Sequence, residues 1–436
     1  MSNPTFREMV RVFTRIGLIS FGGPAGQIAL MHRELVDDRQ WIGEEQFLRA
    51  LNFCHLLPGP EAQQLATWIG WRLHGVRGGL AAGGLFVLPG AAVMLGLSLL
   101  YVHAAGLGWF DALFLGVKAA VLALIAQALI RIGRRALNTP LKVALALLAF
   151  IALFAFDLPF PLVVLGAGAI GMMVAARRPD LLKLKDVPPA PANGTTRRPV
   201  IGSVFALGLA WALPFALIAL FLGPDHVLMD IAAFFSKLAV VTFGGAYAVL
   251  AYLAQEAVQS YHWLRPGEMA DGLGLAETTP GPLIMVTQFV GFLGAYRMPE
   301  PFSPLVAGIL GALITTWVTF IPCFLWIFAC APWIERLEHA KRLQGGLTAL
   351  TAAVVGVIAN VALWFALHVL FGRVEAREIG PMRLVLPELA SIDHRALGLC
   401  VLAFVLLFPA KRGVVQTLAI CGGAALLLGL AVPGGG

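Results

Sequence analysis

Two Pro-Gly-Pro elements, Pro58-Gly59-Pro60 and Pro280-Gly281-Pro282, each interrupt an apolar stretch of the sequence. Paired prolines remove amide donors and break a helix, and broken backbone at membrane depth is tolerated only inside protein or beside a water-filled cavity. The half-helix after such a break presents free amides and the positive end of its dipole, which attract anions. We therefore expect both elements, together with Gln63 after the first, to bind an anion. A kink that serves packing alone is the alternative.

A second pair of motifs lies upstream of these breaks, at Ser20-Phe21-Gly22-Gly23 and Thr242-Phe243-Gly244-Gly245. Consecutive glycines permit positive φ angles and a nest of amides that cups an anion, although close helix packing explains them equally well. A basic residue precedes each motif by five positions, Arg15 in the first and Lys237 in the second. Basic groups inside apolar spans are functional candidates, unless they extend to the membrane interface. The motifs predict an anion held by glycine amides and neutralised by two cations.

Five more polar side chains within apolar stretches are candidates for the transport path. Lys118 is a third basic group, without an acidic neighbour three or four residues away on its own helix. Glu61 and Glu277 flank the two breaks and are candidate proton carriers, with a salt bridge as the alternative. Gln127 and Asn360 could line a polar path or join neighbouring helices.

The composition places these motifs in a membrane protein. Apolar residues make up 59% of the 436 positions, Gly adds 48 more, and only 13% are charged. Soluble globular chains are about 45–50% apolar and about 25% charged. Apolar stretches of about 20 residues, the length that spans a bilayer, recur along the chain. The longest polar segment, 177–199, is too short for a catalytic domain, and the sequence has no Walker A, haem or metal-site motif. We therefore expect no enzyme activity and no cofactor or metal.

The sequence repeats itself. A shift of 222 residues aligns the two Pro-Gly-Pro elements, the two Phe-Gly-Gly motifs, and Trp41 with Trp263, with 11 identities over positions 20–60. A shift of 233 then aligns Pro89 with Pro322 and Gln127 with Asn360. Apolar composition by itself does not bring such motifs into one register, so the two halves are expected to share one fold.

Basic loops predict the membrane topology. The loops at 72–78, 131–142 and 177–198 are rich in Lys and Arg, which marks the cytoplasmic side. One unpaired apolar span, at 200–222, delivers the second half from the opposite side, so the halves should be inverted. We predict an all-α polytopic membrane protein of about 13 transmembrane helices, built as two inverted-topology repeats joined by one extra helix and broken at the Pro-Gly-Pro motifs. The expected spans are 10–31, 50–71, 79–103, 109–130, 141–156, 158–176, 200–222, 230–253, 269–295, 303–329, 346–371, 396–408 and 414–432.

The same pattern predicts the domains and partners. The net charge of +7 belongs to short loops and sets orientation, so we expect a lipid bilayer and a small anion as partners, no nucleic acid, and a homodimer as an option. The predicted domains are a first transmembrane repeat at 1–176, a cytoplasmic linker at 177–199, the inverting helix at 200–222 and a second transmembrane repeat at 223–436.

These motifs resemble the chromate ion transporter family in its long, two-repeat form. The resemblance covers nearly the whole chain and implies a bacterial inner-membrane exporter of chromate, driven by the membrane gradient and sensitive to sulfate. Ala246 replaces Pro24 in the second half, and 283–286 replace Glu61–Gln64, so the first half should supply most polar contacts. The segments that carry the resemblance are Ser20-Phe21-Gly22-Gly23-Pro24, Gln27-Ile28-Ala29, Trp41, Leu57-Pro58-Gly59-Pro60-Glu61-Ala62-Gln63-Gln64-Leu65-Ala66 and Phe86-Val87-Leu88-Pro89-Gly90.

The motifs predict a secondary transporter for a tetrahedral oxyanion, and the resemblance implies that it exports chromate and gives chromate resistance. The site is expected near the midplane where the inverted halves meet, with membrane potential or a proton gradient as the driving force. A transporter for sulfate or another oxyanion or solute is the alternative, and a non-transporting membrane scaffold is a weaker one.

Overall fold

The computed structural model describes residues 4–21, 23–184, 201–242, 246–265, 267–331, 340–380 and 382–431. Over these residues the protein is mostly helical, with sixteen helices and one two-stranded sheet. Local signals account for several helix starts. Thr5 caps the first helix, because its side chain accepts from the Glu8 amide while the Glu8 carboxylate accepts from the Thr5 amide.

Eight helices occupy the described residues up to Phe221. The fourth is broken at His74 and Gly75, where Gly75 has a φ of 65°, so it consists of a first arm (61–73) and a second arm (76–104). The bounds are α1 (Phe6–Ile19), α2 (Gly23–His32), α3 (Glu44–Cys54), α4 (Glu61–Ala104), α5 (Gly108–Ala136), α6 (Pro140–Phe154), α7 (Phe160–Arg177) and α8 (Ile201–Phe221).

The second part of the chain repeats this order of elements. A short π-helical turn follows α2 at Arg33–Asp38, and a matching turn occurs at Glu256–Ser260 after the tenth helix. Both Pro-Gly-Pro elements separate two helices, as predicted. The remaining helices are α9 (Val227–Val241), α10 (Ala246–Gln255), α11 (Glu268–Thr278), α12 (Val286–Arg297), α13 (Pro304–Cys330), α14 (Lys341–Leu370), α15 (His394–Leu407) and α16 (Val414–Ala431).

The prediction that the protein is entirely α-helical is wrong at one place. Two strands, β1 (Val374–Ile379) and β2 (Met382–Pro387), form an antiparallel hairpin within the loop predicted to follow the long span at 346–371. The backbone amide of Arg383 donates to the carbonyl of Ala155, and the Arg383 guanidinium lies 3.4 Å from the Asp157 carboxylate. These contacts anchor the hairpin to the segment after α6.

The helices establish a polytopic membrane protein. Among the described residues, six helices are long and apolar enough to cross a bilayer: α4, α5, α7, α8, α13 and α14. The most exposed of these is α8, with only 11% of its apolar window buried, as expected of a helix that faces lipid. The total of thirteen crossings and the inversion of the repeats stay predictions.

The chain forms two compact units, and each unit takes segments from both repeats. Unit 1 comprises 1–98, 185–249 and 279–344, and unit 2 comprises 99–184, 250–278 and 345–436. Both Pro-Gly-Pro elements lie in unit 1. The predicted domains follow the repeats along the sequence and stay predictions.

Candidate functional site

The first two helices fold back on each other. Arg15 on α1 lies 3.7 Å from Glu34, which follows α2, between the guanidinium and carboxylate atoms. In one continuous helix their Cα atoms would be about 28 Å apart, farther than the two side chains together can reach. The predicted single span over 10–31 is therefore wrong. Its apolar residues form two half-length helices whose tip lies at Ser20–Gly23, where Gly23 has a φ of 71°.

The half-helices after the breaks pair with the next helix through glycine. The first arm of α4 packs against its second arm where Gly70 faces Gly78, and a Cβ at either position would overlap the carbonyl oxygen of the other. α12 packs against α13 at Gly291 and Gly311, where a Cβ on Gly311 would overlap the Gly291 carbonyl oxygen and a Cβ on Gly291 would overlap the Thr315 hydroxyl. Small residues permit this close approach of backbones in membrane proteins. The same local device therefore supports each broken element.

The tips of the two repeats meet inside unit 1 through reciprocal hydrogen bonds. The amide of Gly59 donates to the carbonyl of Thr242 at 2.8 Å. The amide of Gly281 donates to the carbonyl of Ser20 at 3.0 Å and to its hydroxyl at 3.1 Å. Because Gly59 is equivalent to Gly281 and Ser20 to Thr242, each Pro-Gly-Pro tip binds the Phe-Gly-Gly region of the other repeat. We call these four residues the tip junction.

The tip junction requires glycine at both breaks. Gly59 has a φ of 118° and Gly281 a φ of 89°, backbone angles that residues other than glycine rarely adopt. Gly281 also packs against Gly90 in the second arm of α4, with 3.4 Å between the position of an added Cβ and the Gly90 Cα. At the other break, a Cβ on Gly59 would lie 2.8 Å from the Sγ of Cys323, the repeat equivalent of Gly90. The second break thus packs against α4 and the first break against α13.

Buried glutamines hold the Pro-Gly-Pro carbonyls. The side-chain amide of Gln27 donates to the carbonyl of Gly281, and that of Gln64 donates to the carbonyl of Pro58 at 2.7 Å. Gln63 donates to the hydroxyl of Thr67 at 3.1 Å. The three glutamines are 0–1% exposed, and their side-chain oxygens have no hydrogen-bond donor among the described residues. The predicted Gln63 thus lies in a larger amide cluster, whose other members were detectable only as part of the family motif.

The two cations predicted beside the Phe-Gly-Gly motifs are exposed. The Arg15 side chain is 61% exposed and shares the buried Glu34 carboxylate with Arg39. Lys237 is also exposed, whereas Glu61 is half-buried at the start of α4. The prolines Pro58, Pro60, Pro280 and Pro282 lie at the breaks, as predicted. Gly22, Gly244 and Gly245 lie outside the described residues.

The other predicted polar residues belong to unit 2. Lys118 on α5 lies 3.2 Å from the carboxylate of Asp271 on α11, a buried acid that the sequence reasoning missed. Glu277 is buried on α11 and Gln127 half-buried on α5. Asn360 lines a cavity of about 220 Å³. Other residues lining the cavity are Asp157, Gln255, Gln259, Trp364, His368 and Arg383. The described residues contain no group of three or more ligands that could hold a metal ion.

Known proteins match the chain across both repeats. The sequence profile of the chromate transporter family matches residues 7–172 and 229–429. The chain is 29% identical over 363 residues to the chromate transport protein of Cupriavidus metallidurans, covering 83% of each chain. It is 32% identical over 360 residues to the chromate transport protein of Pseudomonas aeruginosa, covering 81% of this chain and 79% of that one. A probable chromate transport protein of Synechococcus elongatus is 29% identical over 360 residues, covering 82% and 84%. No solved structure matches the chain significantly.

Proposed function

The chain belongs to the chromate transporter family, and we propose that it is a secondary transporter that exports chromate across the bacterial inner membrane. Three relatives align along about four-fifths of the chain. Two of them are named chromate transport proteins and the third is named a probable one. Export by such a protein would give chromate resistance. The family membership supports the substrate class, and the tip junction supports a transport mechanism.

The observation that carries the mechanism is the reciprocal bonding at the tip junction. Gly59 and Gly281 donate their amides to carbonyls of the opposite repeat, deep in unit 1. These are the backbone groups that the sequence assigned to oxyanion oxygens. An arriving oxyanion would compete with the Thr242 and Ser20 carbonyls for the same two donors. Charged acceptors form hydrogen bonds about twice as strong as neutral ones, so the competition favours the anion.

This competition connects binding to movement. The tip junction fastens one repeat to the other in the absence of substrate. When oxyanion oxygens replace the carbonyl acceptors, the hydrogen bonds between the two repeats are lost. The broken helices can then rearrange around the bound anion. Alternating access in transporters with repeated folds follows from such a movement of one repeat against the other around a fixed site.

The driving force follows from the charge of the substrate. An interior-negative membrane potential favours anion exit by about 2.3 kcal/mol per charge per 100 mV. For a dianion this amounts to about 4.6 kcal/mol, enough to sustain export without a second ion. A proton gradient would then adjust the export rate and is not a requirement.

Uptake of labelled chromate into energised everted vesicles tests the proposal. We expect uptake that depends on the protein, collapses with an uncoupler and decreases when sulfate is added. Vesicles that contain the same amount of a Gly90→Ala variant serve as the low-uptake control, because this change disturbs the tip junction. Absence of uptake from well-inserted protein would refute chromate as the substrate.

Two alternatives give different results in the same assay. A transporter of sulfate or another solute would leave chromate uptake at background, and labelled sulfate would accumulate instead. A non-transporting scaffold would accumulate neither ion. Both Pro-Gly-Pro elements have their glycine in a left-handed conformation, which interrupts the helix. This favours a transporter over a scaffold, because a helix that only packs against its neighbours does not need to be interrupted.

A further inference from the structure

Unit 2 contains a buried ion pair that the mechanism above does not use. The amine of Lys118 on α5 lies 3.2 Å from one carboxylate oxygen of Asp271 on α11. The hydroxyl of Tyr101, near the end of α4, donates to the other oxygen at 2.9 Å. The Asp271 side chain is 6% exposed and that of Lys118 is 25% exposed. Burying a charge pair among apolar helices is costly, and such pairs in membrane proteins typically serve ion or proton movement.

A second buried acid shows how differently Asp271 is balanced. Glu34 in unit 1 is 4% exposed and lies within ion-pair distance of both Arg15 and Arg39. Two guanidinium groups, which keep their positive charge in proteins, thus lie beside this one carboxylate. Among the described residues, one amine and one neutral phenol lie within bonding distance of the Asp271 carboxylate. A single amine compensates its charge less than two guanidinium groups compensate that of Glu34, so Asp271 is the acid better suited to exchange a proton.

The pair lies beside the positive end of the α11 dipole. Lys118 lies against the N-terminal end of α11, since a Cβ on Gly267 would be 3.2 Å from its amine nitrogen. The positive end of a helix dipole repels a cation and attracts an anion, so Lys118 depends on the Asp271 carboxylate at this position. α16 packs against both helices and carries the thiol of Cys421, and α15 packs against α5 and carries His394, Arg395 and Cys400. Glu268 lies one turn before Asp271 on α11 and adds a further negative charge nearby.

We propose that Lys118 and Asp271 form the proton-linked charge switch of the transport cycle. When the Asp271 carboxylate takes up a proton, the pair changes from net neutral to a net charge of +1, and Lys118 becomes the counter-charge for an anion. Proton binding and anion binding then reinforce each other, so the two move in the same direction. A dianion exported with one proton still carries a net charge of −1, which the interior-negative potential drives outward. This inference rests on the proposed function, because it assumes that chromate is carried.

The test separates coupling from transport itself. Purified protein in liposomes is assayed for exchange of labelled against unlabelled chromate at equal pH, and for net uptake under an imposed pH gradient, with a trapped pH dye. The variants are Asp271→Asn, Lys118→Met and the double variant, and Glu268→Gln is the matched control on the same helix. For the wild type we expect faster uptake with the acidic side outside, up to about tenfold accumulation per proton for one pH unit.

Asp271→Asn should retain exchange within about threefold of the wild type, because Asn resembles the protonated acid, while it loses both the gradient response and the dye signal. Glu268→Gln should keep both. A gradient response that persists in Asp271→Asn would overturn the switch, as would full exchange in Lys118→Met, which lacks the counter-charge for the anion. A wild type that exchanges chromate but ignores the gradient, or responds to the opposite one, refutes the switch and leaves the proposed function standing. A wild type that does not exchange chromate at all refutes both.

Discussion

The substitution Gly90→Ala is a sharp test of the tip junction. A methyl group at Gly90 would overlap the carbonyl oxygen of Pro280, which is backbone and cannot rotate away. Overpacking costs about 1–3 kcal/mol. If Pro280 moves, the Gly281 amide also loses Ser20 as its acceptor, and an unsatisfied buried donor costs about 1–3 kcal/mol. We expect Gly90→Ala to be less stable than a neutral helix substitution by about 2–6 kcal/mol.

Gly96→Ala is the matched control, because it makes the same chemical change in the same arm of α4. A Cβ on Gly96 meets nothing within 4 Å, so this variant should gain about 0.5–1 kcal/mol from helix propensity. Thermal unfolding of both detergent-purified variants, followed by chromate uptake in everted vesicles, measures the difference. Equal melting temperatures together with equal uptake would refute the packing of Gly90 against the Pro-Gly-Pro tip.

Three further changes test the neighbouring features. In a chain depleted of its own cysteines, single cysteines at Arg7 and Asp38 should react with an impermeant maleimide from the same side of the membrane, since α1 and α2 fold back; labelling from opposite sides would restore the continuous span. Arg15→Gln should alter the free energy of unfolding by less than about 1 kcal/mol, because the Arg15 side chain is largely exposed and Arg39 still pairs with Glu34; a loss of transport at normal stability would assign Arg15 to the anion path. Ser20→Ala removes one of two acceptors for the Gly281 amide and leaves the carbonyl, so chromate uptake should fall only a few-fold; complete loss would place the hydroxyl on the substrate itself.

The repeat made the tip junction predictable in outline. Two Pro-Gly-Pro elements in equivalent positions must occupy equivalent places in a fold that is repeated, and proline chemistry requires them to break their helices. The structure adds that Gly59 bonds to Thr242 and Gly281 to Ser20. Sequence alignment pairs Gly59 with Gly281, and it does not reveal that each binds the other repeat, because that depends on packing in three dimensions.

The fold-back of α1 and α2 was not predictable from hydropathy. A single 22-residue helix can cross a bilayer, and two half-length helices can enter it and return to the same side. Both arrangements have the same apolar composition. The distinguishing observation is the ion pair between Arg15 and Glu34, which joins residues that one straight helix would keep far apart. Asp271 was missed for a similar reason, since its partner Lys118 is distant in sequence and lies on another helix.

The positions of the charges change how anion selection should be understood. The sequence favoured Arg15 and Lys237 as direct ligands, yet both side chains are exposed, while the donors at the tip junction are backbone amides and the buried side chains that bond to it are neutral amides and a hydroxyl. A site built from neutral donors recognises oxyanions through the geometry of hydrogen bonds, and a tetrahedral dianion of chromate presents nearly the same arrangement of oxygens as sulfate. Exposed cations would then raise the local anion concentration and the rate of entry. It follows that substitution of Arg15 or Lys237 should reduce uptake most at low ionic strength, whereas changes at Gly59 or Gly281 should reduce uptake at every salt concentration.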